Sequence, residues 1–343
     1  MADCLHQGGR KQEAINVLKD LMVKEEGISD SAEKTLELID AGIIAPRSPL
    51  PAYQKHSRGQ FRLSAAISGG FDTNVLLVEE AVAAGTAIKD RGSFYYSPTL
   101  QFGYLGRLWG QILDARLISA YTDYVAANAS SLSNLYNRFD LFVGSNTVKW
   151  DVFGDLVFLN SSPFAVYNYD VGLMWQHVKK SGPNDIWTYE LPFKYQKYIL
   201  STGSSTDNDR SGGDVQAKVT LRSQWSDLEY YSIGGILDTQ YSVGKNYRLE
   251  GLEIPFSLGV EIPGFRNLGL LNTFMADLSG QFYYQSDQKR KDFSYKFGTG
   301  LAAPLVEGWN LSFDYYYMKN NSNVDAATYT KGVASFLLSH NFL

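Results

Sequence analysis

The sequence predicts an all-β protein, an antiparallel transmembrane β-barrel of about 14 strands spanning residues 60–343, with a short α-helical segment ahead of it. Three observations predict it. Apolar and polar residues alternate with period two from Gln60 to the end of the chain. Aromatic residues make up 14% of it, yet no apolar run approaches the roughly 18 residues a membrane-spanning helix needs. The connections between predicted strands also alternate in length, long then short, as barrels with one elaborated end require.

Residues 1–45 carry helical spacing. In "KQEAINVLKDLMVKEE" the apolar positions Ala14, Val17, Leu18, Leu21 and Met22 fall on one face. In "SDSAEKTLELIDAG", Ser29 or Ser31 serves as N-cap, Ala32, Leu36 and Ile39 form a stripe, and Gly42 is a C-terminal stop. Two short helices bury little alone. Residues 46–59 follow as a linker, stiffened by Pro46, Pro49 and Pro51.

The strands are expected near 60–75, 93–106, 111–126, 132–144, 147–160, 164–178, 185–201, 213–226, 228–243, 247–262, 268–285, 291–306, 308–320 and 328–343. Their faces are alike. Trp187, Tyr189, Leu191, Phe193 and Tyr195 oppose Thr188, Glu190, Lys194 and Gln196; Leu252, Ile254, Phe256 and Leu258 oppose Glu253 and Ser257. A soluble sheet could cover a few such faces, but a chain built of them leaves nothing to cover them except lipid. If the first strand rises from the periplasm, the longest connections, near 76–92, 202–212 and 321–327, all fall outside. "KKSGPND" is the longest exception. The even strand count then puts both the helical segment and the C-terminus in the periplasm.

Catalytic and cofactor readings find little support. His6 and His56 precede the barrel, and His177 and His340 fall at periplasmic strand ends, so no Ser, His and acid constellation can be drawn at the outer rim. His177 and His340 share a rim and could meet at a metal, but no Cys or HxxxH spacing supports them; histidines of the membrane interface explain them better. "GYLGRLWG" lacks phosphate-loop spacing and lies at a strand turn. No enzyme activity, cofactor or metal is therefore expected. Nor is nucleic acid, since the net charge is -5 and the sequence pI about 5.5. Cys4 is the single cysteine, which excludes an intramolecular disulfide. The opening "MADCLHQGG" has neither the basic nor the apolar region of a signal peptide, so for an exported chain it reads as starting beyond such a leader.

The polar face supplies the candidate functional residues. Alternation points Arg62, Asp72, Arg116, Arg138, Lys149, Asp151, Asp155, Asp170, Glu190, Lys194, Arg222, Glu253, Asp277 and Lys296 into the lumen. Their mixed sign fits either a wall cross-linked by salt bridges or a polar conduit. A lumen of arginine and lysine would have suggested an anionic polymer such as alginate. Gly69 and Gly70, inside the first strand, predict a bend or a close backbone approach.

Three stretches carry family resemblances. "GRKQEAINVL" resembles the turn and second helix of a tetratricopeptide repeat, with Gly9 at the tight turn and Ala14 where paired helices approach; a plain amphipathic helix is the alternative. That resemblance implies partner contacts through Gly9, Ala14, Leu18 and Leu21. "VASFLLSHNFL" resembles the terminal strand by which bacterial outer-membrane barrels are recognised for assembly, although Leu343 follows the aromatic Phe342. "SGGFDTNVLLV", an aromatic then Asp-x-Asn-Val after a helical repeat, resembles proteins with a periplasmic tetratricopeptide segment and an outer-membrane barrel, including surface lipoprotein assembly modifiers. The resemblance implies a Gram-negative outer-membrane barrel, bounded by lipid, for export, translocation or surface display of an unidentified cargo, with residues 1–45 recruiting a periplasmic protein. The alternatives are a plugged barrel anchoring an envelope-spanning or motility complex, and a general diffusion porin.

Overall fold

The computed structural model describes residues 59–75, 92–127, 129–159, 165–199, 209–226, 229–262, 270–305 and 308–342. The helical segment and linker expected over 1–45 and 46–59, with Gly9, Ala14, Leu18 and Leu21, lie outside the described residues except for Gly59. Over the rest, fourteen strands run β1 (Gln60–Asp72), β2 (Ser93–Leu108), β3 (Gln111–Tyr124), β4 (Asn134–Gly144), β5 (Val148–Leu159), β6 (Ala165–Lys180), β7 (Asp185–Tyr198), β8 (Gly212–Gln224), β9 (Tyr230–Ser242), β10 (Leu249–Glu261), β11 (Leu271–Phe282), β12 (Lys291–Pro304), β13 (Trp309–Ser322) and β14 (Tyr329–Asn341). Each pairs antiparallel with its sequence neighbours, and β14 returns to β1, so the sheet closes with no free edge.

Alternation decides which face each side chain takes. Phe94, Leu100, Phe193, Leu237 and Phe297 are all exposed on the outer face, while their neighbours Ser93, Gln196 and Asp238 turn inward. An outer wall this apolar is the reverse of a water-soluble surface, which rarely carries contiguous apolar patches beyond a few hundred Å².

Closure at the β1–β14 seam depends on Gly70. A Cβ at this position would overlap the Ala334 carbonyl oxygen, and the Phe336 ring packs over neighbouring Gly69. The close approach expected from the glycine pair is thus the barrel's closing contact. Just beyond it, the Asn74 amide donates to Asp72 Oδ1 (2.9 Å), Asn74 Nδ2 donates to the Thr330 carbonyl (2.9 Å), and Thr73 exchanges bonds with Gly332. The Asp-x-Asn sequence therefore latches the first strand to the last.

The two barrel ends differ. Between β1 and β2 lie residues 73–92, and between β7 and β8 residues 199–211, whereas β2–β3 and β4–β5 turn through 109–110 and 145–147. The longest connection at the short end is 262–270, not "KKSGPND", because β6 and β7 extend to leave only 181–184 between them. Aromatic rings collect around the short end. Trp175, His177 and Tyr189 stack in series on the outer face, and His340 stacks on Trp309 while meeting Phe342 edge-on. Amphipathic rings of this kind suit a lipid–water boundary. His177 on β6 and His340 on β14 thus occupy separate stretches of wall.

Candidate functional site

The inner wall is a continuous field of charge, held in place by strand register. Arg116 lies opposite Asp140, Arg138 opposite Asp155, Lys194 opposite Asp214, and Asp277 opposite Lys296. Opposed pairs on one face sit roughly 4.5–5.5 Å apart at Cβ, within reach of ion pairing. The guanidinium of Arg138 bridges Asp140 (2.7 Å) and Asp155 (3.3 Å), and the Tyr136 hydroxyl donates to Asp155 Oδ1 at 2.6 Å. Arg116 clasps Asp114 at 2.5 Å, with Arg62 at 4.0 Å from the same carboxylate. Lys194 pairs with Asp214 at 3.3 Å.

The other inward candidates fall along the same wall. Asp170 accepts the Asp155 amide (3.2 Å), Gln176 Nε2 donates to Glu190 (2.7 Å), Arg222 stacks on Tyr230, and Lys296 lies over Tyr316. Asp72 sits higher, at the seam, where Lys331 reaches it at 2.7 Å. Lys149, Glu253 and Asp277 also take inward positions, on β5, β10 and β11. Alternation alone puts them there.

Two recesses of about 220 Å³ each indent this wall. One is bounded by Arg138, Asp151, Asp155, Lys194, Asp214 and Lys218 around the apolar patch of Phe153, Met174 and Pro192. The other sets Asp277 and Lys296 beside Pro255 and Met275. Both have a mid-strand proline at their base. Ladder pairing lapses there, between Glu190 and Phe193 on the β8 side and between Glu253 and Phe256 on the β9 side, because proline has no N–H to donate. A Cβ at Gly172 would overlap the Phe153 ring, so that glycine is what lets the ring lie flat across the first recess. Arg138 then stacks over Phe153 with 5.0 Å to its centroid.

Charges on the inner wall stay partly accessible. Side chains of Arg62, Arg116, Arg138 and Lys194 keep 31–38% of their surface accessible, although each is paired. Small eight-stranded barrels fill their interiors with side chains, whereas larger ones leave room.

Asp214, Asp238, Gln216, Phe153, Met174 and Pro192 line the first recess or adjoin it without being among the residues expected from sequence. For Asp214 and Asp238 a signal was present, since extending the alternation that marks Lys218 and Leu237 puts both aspartates inside. Nothing in the period-two pattern signals Phe153 or Met174, because apolar residues on a polar face read as noise. Among the described residues no group of three or more His, Cys, Asp or Glu side chains is arranged to hold a metal ion.

No protein-family model and no curated protein matches the chain. Among solved structures it is similar to OccAB4 of Acinetobacter baumannii, at 9% identity and TM-score 0.42, covering 82% of this chain and 98% of that one. It is similar as well to the outer membrane channel DcaP of Acinetobacter baumannii, at 9% identity and TM-score 0.46, with 84% and 99% covered. A bacterial polysaccharide outer membrane secretin is similar at 9% identity and TM-score 0.48, with 82% and 98% covered. Likeness at this level does not reach individual residues; the barrel rests on its own strand pairing.

Proposed function

We propose that the chain spans a bacterial outer membrane and that its lumen is a polar conduit. The observation that carries this reading is the contrast between the two faces of one closed sheet. Outside, rings and aliphatic side chains stand exposed among the described residues. Inside, paired charges stay accessible to water. Lipid is the one solvent that suits the first face, and water suits the second. Loop lengths favour an orientation with the end bearing residues 73–92 and 199–211 outside, and with both ends of the chain in the periplasm.

The narrower reading, export or surface display with residues 1–45 as a periplasmic adaptor, rests on the sequence resemblance. It adds to the conduit and does not replace it. Purified full-length chain in planar lipid bilayers tests the conduit directly: stepwise conductance supports it, and an electrically silent but correctly folded barrel contradicts it. Co-purification from native membranes tests the adaptor, with Ala14→Arg expected to lose the periplasmic partner while the barrel still assembles.

A further inference from the structure

The inner wall is short of positive charge at defined places. Five buried side-chain oxygens on its strands have no hydrogen-bond partner among the described residues, and all belong to aspartates: both of Asp151, and Oδ1 of Asp214, Asp238 and Asp277. Asp151 is 1% exposed and Asp214 7%, and both border the first recess. The two arginines whose charge acts on Asp151 are engaged elsewhere, Arg116 with Asp114 and Arg138 with Asp140 and Asp155, and Lys218, on the same recess, makes no bond to it. Asp238 lies one strand beyond Asp214, opposite Gln216, so the unpartnered oxygens run round the wall from β5 to β9, and Asp277 adds one on β11. Asp151 has no partner at either oxygen, while Asp238, Asp277 and Asp214, the last already paired with Lys194, each keep one oxygen without a partner; leaving buried carboxylate oxygens unserved is costly, so the repeated arrangement points to a guest that supplies donors.

We propose that this wall binds a linear organic oligocation, with ammonium groups separated by short hydrocarbon spacers. The inference rests on the lumen being the accessible space described above. Ammonium donors match the unpaired aspartate oxygens. The spacers match what lies between those aspartates: Phe153, Met174 and Pro192 in the first recess, Pro255 and Met275 in the second. A bare metal ion fits poorly, since no group of three ligating side chains is present among the described residues. An anionic guest would put its charge against unpaired carboxylates. Lys218 lines the first recess, has no ion pair among the described residues and shares the field of Glu253, so it limits how many ammonium groups that recess accepts.

The test is calorimetric titration of spermidine into the full-length barrel in detergent, at about 0.1 M salt so that long-range attraction is screened. Saturable binding is expected, with equimolar magnesium unable to displace it. Asp151→Asn and Asp238→Asn together should weaken binding at least tenfold, whereas Asp287→Asn, at the exposed Lys245 pair outside the lumen, should leave it unchanged. Asp151→Asn removes an unpaired buried charge, so this variant should fold and unfold at no lower temperature than the parent. Absence of saturable binding, displacement by equimolar magnesium, or full affinity in the double variant each overturns the proposal. Binding needs no ion flow, so a barrel that binds spermidine yet does not conduct defeats the conduit reading alone.

Discussion

The Lys331 ammonium lies 2.7 Å from Asp72 Oδ2, and this contact ties the last strand of the barrel to the first. Both side chains are largely buried, at 18% and 5% exposure. Breaking a buried pair strands the remaining charge, at a cost of about 3–5 kcal/mol. Lys331→Met should therefore lower the temperature at which the folded band disappears on electrophoresis after heating. Asp72→Ala should lower it further, because the Asn74 amide also loses its acceptor. Unchanged heat-modifiability in both variants would remove the seam latch from the account.

Gly70→Ala sets a side chain against the Ala334 carbonyl, and Gly172→Ala sets one against the Phe153 ring, whereas a Cβ at Gly280 would meet nothing within 4 Å. Overpacking of this kind costs about 1–3 kcal/mol. The first two variants should assemble poorly and Gly280→Ala normally, as read by the yield of folded barrel in membranes. Of the first two, Gly70→Ala should be the worse, because backbone yields less readily than a ring.

Phe193 and Phe256 are exposed on the outer face. Arginine at such positions near the bilayer midplane costs about 2–4 kcal/mol, so Phe193→Arg and Phe256→Arg should reduce assembly strongly. Gln101, on the inner face of β2 opposite Ser64, should accept arginine with little loss. Gln196, also inward, is 6% exposed and donates to the Arg210 carbonyl, so arginine there should cost more than at Gln101. Equal loss at Gln101 and Phe193 would argue against two unlike solvents.

At the long-loop end, Asp209 anchors the entry to β8. Burial pushes its carboxyl up, but bonds from Ser211 and the nearby Lys197 outweigh this and hold it below the ordinary carboxylate range. A folded-state value below the unfolded one stabilises fully above the ordinary carboxylate pKa of about 3.9, and that stability is lost as pH falls through the lower folded value. The parent should thus unfold later than Asp209→Asn at neutral pH, with the gap closing in strong acid. A gap that stays constant across that range would show that the charge on Asp209 is not what matters.

The orientation is tested by single cysteines in a Cys4→Ser background. Gln288 and Asn323, at the long-loop end, should react with an impermeant maleimide on whole cells, and Asn146 and Pro183 should not. The reverse pattern would invert the barrel.

Strand count and facing were legible in the sequence because a closed wall with an apolar outer and a polar inner face imposes period two on every strand. All fourteen expected strands are present with ends shifted by a few residues: β6 runs on to Lys180 and β11 begins only at Leu271. The pairing of particular charges was not legible. Register decides that Arg138 reaches Asp155, and register is set by turn lengths that a period-two pattern does not specify. The recesses were hidden for a related reason, since Phe153 and Met174 break the polar rule of their own face. The Asp-x-Asn stretch was conspicuous as sequence, but its role emerged only once β14 was beside it, more than 250 residues along the chain.

The most direct test of a closed wall between lipid and water is a cysteine scan along β10, from Leu252 to Leu258, each site carrying an environment-sensitive fluorophore in reconstituted vesicles. Labels at Leu252, Ile254, Phe256 and Leu258 should be quenched by spin-labelled lipid and shielded from aqueous iodide, and labels at Glu253, Pro255 and Ser257 should show the opposite. Quenching by iodide at all seven sites, with no alternation, would contradict the account.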